Sequence, residues 1–189
     1  MALLMCVFAV GFSACSSEDD SDTTAKTYEI GDTGPGGGII FFVDEDDTYP
    51  GWKYLEAAPS TSEFSNRAWS NTTDQTIGGA GTVIGTGKEN TEAIAAWQNL
   101  NDEVGAAPEY CNSLTINGKS DWFMPSQDEL TAMYTNLWDG NGWGSFTNDI
   151  YYSSTESGNA NVKGVTFTNG TSQDVAKAIT RRVRPARRF

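Results

Sequence analysis

The sequence predicts an α+β domain, on three observations. Short apolar runs with β-branched and aromatic residues cluster at the two ends of its folded part, GIIFFV and WKYLEAA early, IYYSST and VKGVTFT late. Two stretches with helical periodicity lie between them. Turn chemistry, acidic with Pro-Gly early and Asn169-Gly170 late, joins neighbouring runs as hairpins. Strands grouped at both ends with helices between them define that class. At 189 residues the chain is long enough to bury one core.

Residues 1–14, MALLMCVFAVGFSA, carry no charge and are nearly all apolar. That is too short to span a bilayer, which takes roughly 20 apolar residues, and suits a signal-peptide core of about 7–15. Ser13-Ala14 before Cys15 resembles a bacterial lipobox, which implies cleavage and lipidation at Cys15 and a membrane anchor. Of the three cysteines, Cys6 then leaves with the signal, Cys15 carries lipid, and Cys111 stands alone, so the mature chain forms no internal disulfide. Residues 15–29 continue as an acidic, flexible tether. An acidic patch behind a lipidated cysteine resembles the signal that sends lipoproteins to the outer face of the outer membrane.

The domain is expected over residues 30–189. Gly31 to Gly38 reads as a turn-rich lead into the strand GIIFFV, and DEDDTYPG turns the chain into WKYLEAA. Glycine-rich stretches invite a nucleotide reading, but near GTVIGTGKEN the first glycine of a P-loop falls on Thr82 and Glu89 follows Lys88. The first helix is predicted in NTEAIAAWQNLNDEVG, capped by Asn90 and stopped by Gly105. Ala93, Trp97, Leu100 and Val104 form its inner face. The second is predicted after Ser126, where Ser126 and Glu129 form a capping box and Leu130, Met133, Tyr134 and Leu137 repeat at helical spacing. IYYSST, VKGVTFT, TSQDVAKAI and TRRVRPARRF then read as strands.

Charge narrows the function classes. With a net charge of -13 and no histidine, most of the surface repels a phosphate backbone, so no nucleic-acid partner is expected. The missing histidine also rules out Ser–His–Asp and Cys–His sites. Five of the 12 basic residues nevertheless lie in the last nine, RRVRPARRF. As a strand, these arginines are expected to pair with carboxylates, the DEDD turn among them, with Arg184 partly buried.

IGDTGPGGGIIFFVDE, GWKYLEAAPS, NGKSDWFMPSQDEL, YYSSTES, VTFTNG and RVRPARRF, in this order, resemble the Lcl C-terminal-domain family of bacterial secreted proteins, close to the fib-succ major paralogous domain. That family is similar to the C-type lectin-like fold, in which the first and last strands pair. The resemblance implies a C-type lectin-like domain with two helices and mainly antiparallel strands. The same fold occurs in formylglycine-generating enzymes and in the variable proteins of diversity-generating retroelements. The enzymes depend on a cysteine pair, whereas the mature chain keeps only Cys111. The triplets of calcium-dependent lectins are missing too, and FTND at Phe146 to Asp149 is the nearest approach. Neither a catalytic residue, a metal nor a cofactor is therefore expected.

The expectation is a surface-exposed lipoprotein carrying an adhesion module for a glycan or a protein. The alternatives are a structural envelope protein and a retroelement variable protein. In those variable proteins the ligand face lies on the last strands and their loops. Carried onto this chain, it implies Asn159, Asn161, Lys163, Gln173, Asp174 and Lys177 as ligand contacts.

Overall fold

The structure, a computed structural model, describes residues 26–189, so the signal segment, Cys15 and most of the acidic tether lie outside the described residues. Two antiparallel three-stranded sheets frame the domain. β1 (Ile39–Val43) pairs with β2 (Tyr54–Ala57), and β2 pairs on its other side with β6 (Ala186–Arg188). The first and last strands thus share one sheet, with β2 hydrogen-bonded between them. β3 (Ile150–Glu156), β4 (Asn161–Thr166) and β5 (Thr171–Ala176) form the second sheet in chain order.

The final strand is shorter than expected. Residues 180–185 cross the molecule through single bridges, Thr180 to Ala68, Arg182 to Tyr151 and Val183 to Phe64, and ladder pairing begins only beyond Pro185, which has no N–H to give. The turn at Asn169-Gly170 also departs from expectation. Thr166 pairs with Thr171, so the loop holds four residues, with Phe167 folded inward to full burial and Gly170 at φ +72° donating to the Thr166 carbonyl. Burying the ring widens the turn.

Three helices, not two, connect the sheets: α1 (Gly87–Leu100), α2 (Ala107–Ser113) and α3 (Gln127–Met133). α3 begins at the predicted capping box, Ser126 Oγ accepting from the Glu129 N–H and Glu129 accepting from the Ser126 N–H. Leu130, Met133 and Leu137 are buried beyond it, the last in a π-turn over Tyr134–Trp138. α2 was not foreseen; Pro108 in its first turn is the local sign of it.

α1 starts four residues early and turns a largely different face inward, with Trp97 of the expected face still packed on the core. Its buried residues are Gly87, Asn90, Thr91, Ile94, Ala95 and Gln98, while Leu100 is 85% exposed and Val104 beyond it 81%. The period is helical, but polar groups set its phase. Asn90, expected as the cap, binds both the N–H and the carbonyl of Gly81. Thr91 bonds to the Met124 backbone, and Gln98 donates to the Trp69 carbonyl. These buried loops need partners, and the helix supplies them.

The sheet β3–β4–β5 divides two cores. Tyr151 and Val165 enter one with Phe41, Leu55, Leu130 and Phe167; Tyr152, Val162 and Val175 enter the other with Trp69, Ile94 and Cys111. Alternation along each strand sends neighbouring side chains to opposite faces.

Four of the five late arginines meet carboxylates. Arg184, 1% exposed, donates to Glu63 at 2.7 Å, and Glu63 also takes Arg182 and the Tyr151 hydroxyl. Arg187 reaches Asp121 at 2.6 Å and lies 3.5 Å from the buried Glu56; Arg188 pairs with Glu89. The expected pairing with the DEDD turn does not occur. Asp44 there is buried and holds its own loop, and Asp47 pairs with Lys53.

The same ion cluster explains GDTGPGGG. A Cβ at Gly34 or Gly36 would run into the Glu56 carboxylate, and one at Gly38 into the Ala57 carbonyl. The glycines let the backbone close over a buried acid, to which the Gly36 N–H donates at 3.2 Å.

Candidate functional site

The residues predicted as ligand contacts lie along β4, β5 and their flanks but do not converge. Register puts Asn161, Lys163 and Asp174 on one face of the hairpin and Gln173, opposite Gly164, on the other. Most of their polar groups have partners within the protein: Lys163 pairs with Asp174 at 2.7 Å, Gln173 donates to Thr166 Oγ1 at 2.5 Å, and Asn159 donates to the Asp74 carbonyl at 3.0 Å.

Lys177 corrects the prediction outright. It is fully buried, 2.5 Å from Glu156, and donates also to the Gln75 carbonyl. The Glu156 carboxylate accepts from the N–H groups of Ile77, Gly78 and Gly79. Lys177 and these amides hold its carboxyl below the usual range against the opposing effect of burial. An ammonium buried this way holds a loop in place and is closed to any ligand.

A different concavity opens at the β1–β2 hairpin, lined by none of these residues. A cleft of about 780 Å³ lies where the β1–β2 hairpin tip meets the chain's last residue, and five rings line it: Tyr28, Tyr49, Trp52, Tyr54 and Phe189. The hairpin tip is built from its own polar groups. Asp44 accepts from the N–H groups of Thr48 at 3.0 Å and Tyr49 at 2.7 Å, fixing where Tyr49 leaves the loop. Gly51, at φ +93°, reverses the chain so that Trp52 stacks on Tyr49 with centroids 4.6 Å apart and planes 21° from parallel. Phe42 meets both rings from beneath.

The other wall belongs to the terminal strands. The N–H groups of Lys53 and Tyr54 both donate to the Phe189 carbonyl, and the Phe189 N–H donates to Tyr54. Tyr28 then packs edge-on against Tyr54 and Phe189, at 5.2 and 5.5 Å. The exposed Lys53–Asp47 pair, 2.8 Å apart, supplies a donor and an acceptor at the lip, and Lys26 sits over the Tyr28 ring. The stretch TYPGW, two aromatics flanking a Pro-Gly turn, is the sequence sign of this site.

Elsewhere, reactive groups are shut away. Burial pushes the Cys111 thiol far up, and Glu129, fully buried at the start of α3, is raised to about 7 despite accepting from the Ser126 and Gly85 N–H groups. In FTND, the nearest approach to a calcium motif, the Asp149 carboxylate is committed to Arg182. Among the described residues no group of three or more Cys, Asp or Glu side chains is arranged to hold a metal ion.

No family model and no curated protein matches the sequence. In structure the chain is similar to a fimbrial protein from Bacteroides ovatus ATCC 8483, with a TM-score of 0.55 and 16% identity over 80% of this chain. The match takes in 44% of that protein, so this chain spans less than half its length. At such identity the likeness is one of fold.

Proposed function

We propose that this chain is a bacterial cell-surface adhesion module, displayed by a lipid anchor at Cys15 on the outer face of the outer membrane. On this reading it binds its ligand through the aromatic cleft. The cleft carries the proposal: five rings around a concavity of ligand size, with one donor and one acceptor at its lip, is the composition of a recognition site. The likeness to a fimbrial protein supports surface display. The shared sheet of first and last strands supports a C-type lectin-like fold, related to the Lcl C-terminal-domain family. Binding is favoured over catalysis because Asp47, the carboxylate at the cleft, is paired with Lys53 and no histidine is present to move protons.

The test is adhesion of cells displaying the full chain to surfaces coated with glycans or with matrix proteins. Wild-type cells should adhere, and cells carrying Trp52→Ala should not; equal adhesion by both would defeat the cleft as the site. Cys15→Ser should release the protein from the membrane fraction, and retention would defeat the anchor.

A further inference from the structure

We infer that the cleft takes a neutral saccharide, with the Tyr49–Trp52 stack as its platform and the Lys53–Asp47 pair as its hydrogen-bonding clamp. This deepens the adhesion reading and rests on it. Stacked rings present a flat apolar surface, while the lip offers an ammonium and a carboxylate fixed 2.8 Å apart. A pyranose matches both at once. Its C–H face lies on an aromatic plane, and its edge carries adjacent hydroxyls that donate to a carboxylate and accept from an ammonium.

Charge excludes the neighbouring classes. Glu45, Asp46 and Asp47 stand exposed on the hairpin loop, on a chain of net charge -13, and so repel sulfated or uronate chains. Lys26 and Lys53 line the cleft and disfavour a quaternary ammonium, although an aromatic cage alone would welcome one. Only a ligand without net charge escapes both fields.

Backbone pairing argues against a peptide. The floor of the cleft is the junction of β2 with Phe189, where the N–H groups of Lys53, Tyr54 and Phe189 are bonded across the strands, and the backbone N–H of Asp44 donates to the Lys53 carbonyl. A peptide would find rings but no free ladder to extend. The volume, about 780 Å³, lies within the roughly 300–1,000 Å³ of small-ligand sites and suits a few sugar residues.

The experiment is calorimetric and NMR titration of the full chain with neutral oligosaccharides of glucose, galactose, mannose and N-acetylhexosamines, beside sulfated and uronate oligosaccharides and a Pro/Tyr-rich peptide. At least one neutral oligosaccharide should bind, and about tenfold or more weakly to Trp52→Ala. Because Trp52 also touches the core, Lys53→Met provides a second variant at the exposed lip, expected to weaken binding with the fold intact. Binding of neutral sugars unchanged in both variants, or no binding at millimolar concentration, overturns the inference. Preference for acidic glycans or for the peptide, lost in Trp52→Ala, also overturns it while leaving adhesion through the cleft standing. Adhesion of the displaying cells that survives Trp52→Ala removes the cleft from the adhesion reading, whereas no adhesion by wild-type cells removes that reading itself.

Discussion

The two hairpins of this domain handle polarity in opposite ways. On β4–β5 and its flanks the charged side chains expected to meet a ligand all have internal partners, from the exposed Lys163–Asp174 pair to the buried Lys177–Glu156 pair. At the tip of β1–β2 Asp44 and the backbone hold the loop and Lys53 pairs with Asp47 at the lip, which leaves a stack of rings facing a cleft. Exposed polar residues on a strand are therefore poor evidence of a site. A loop that satisfies itself from beneath while presenting aromatics is better evidence.

The sharpest break of this contrast is Lys177→Met. If β4–β5 is scaffold, removing the ammonium leaves Glu156 buried and charged, which costs about 3–5 kcal/mol. Chemical denaturation should show that loss, and a loss below about 1 kcal/mol would mean that Lys177 is free for another role. Saccharide binding at the cleft should persist in whatever fraction stays folded.

Glu129 sharpens the comparison through pH. It has one face on the loop behind the cleft, accepting from Gly85, and its folded pKa, raised by burial, is about 7 against an ordinary 4.5. A raised pKa means that the folded state holds the proton more tightly than the unfolded one. The stabilisation is then fully present below about pH 4.5 and is lost as pH rises through about 7, on the order of 3 kcal/mol in all. Comparing the pH dependence of unfolding in wild type and Glu129→Gln isolates it. The variant should lack the fall between those values, and parallel curves would refute the assignment. Gly36→Ala comes next. A Cβ there meets the Glu56 carboxylate and Trp122, for a cost of about 1–3 kcal/mol in place of the usual gain from Gly→Ala. A variant as stable as wild type would show that the glycine loop can move aside.

What could be read in the sequence follows the range of the interaction. The capping box of Ser126 and Glu129 is local, three residues apart, and α3 starts where it says. The hairpins and the burial of Arg184 were legible because alternation and an arginine between Val183 and Pro185 are local patterns too. The inner face of α1 was not. Leu100 and Val104 look like core, and only the distant carbonyls of Gly81 and Trp69 make Asn90 and Gln98 the residues that must go inside. The cleft was missed for the same reason. Tyr28, Trp52 and Phe189 are far apart in the chain and become one surface only when β6 docks on β2.

The smallest predicted effect tests the other half of the comparison. Lys163 and Asp174 face each other across β4–β5 with side chains 33% and 55% exposed, where solvent screens the pair and ordering both side chains opposes it. The Asp174 carboxyl is held below its usual range by Lys163, but an exposed pair of this kind contributes little. A double-mutant cycle over Lys163→Ala and Asp174→Ala should return a coupling close to zero, and neither change should alter saccharide affinity at the other hairpin. A large coupling would mark the pair as more than a solvated cross-strand contact. Loss of binding in either variant would move the site back to the last strands.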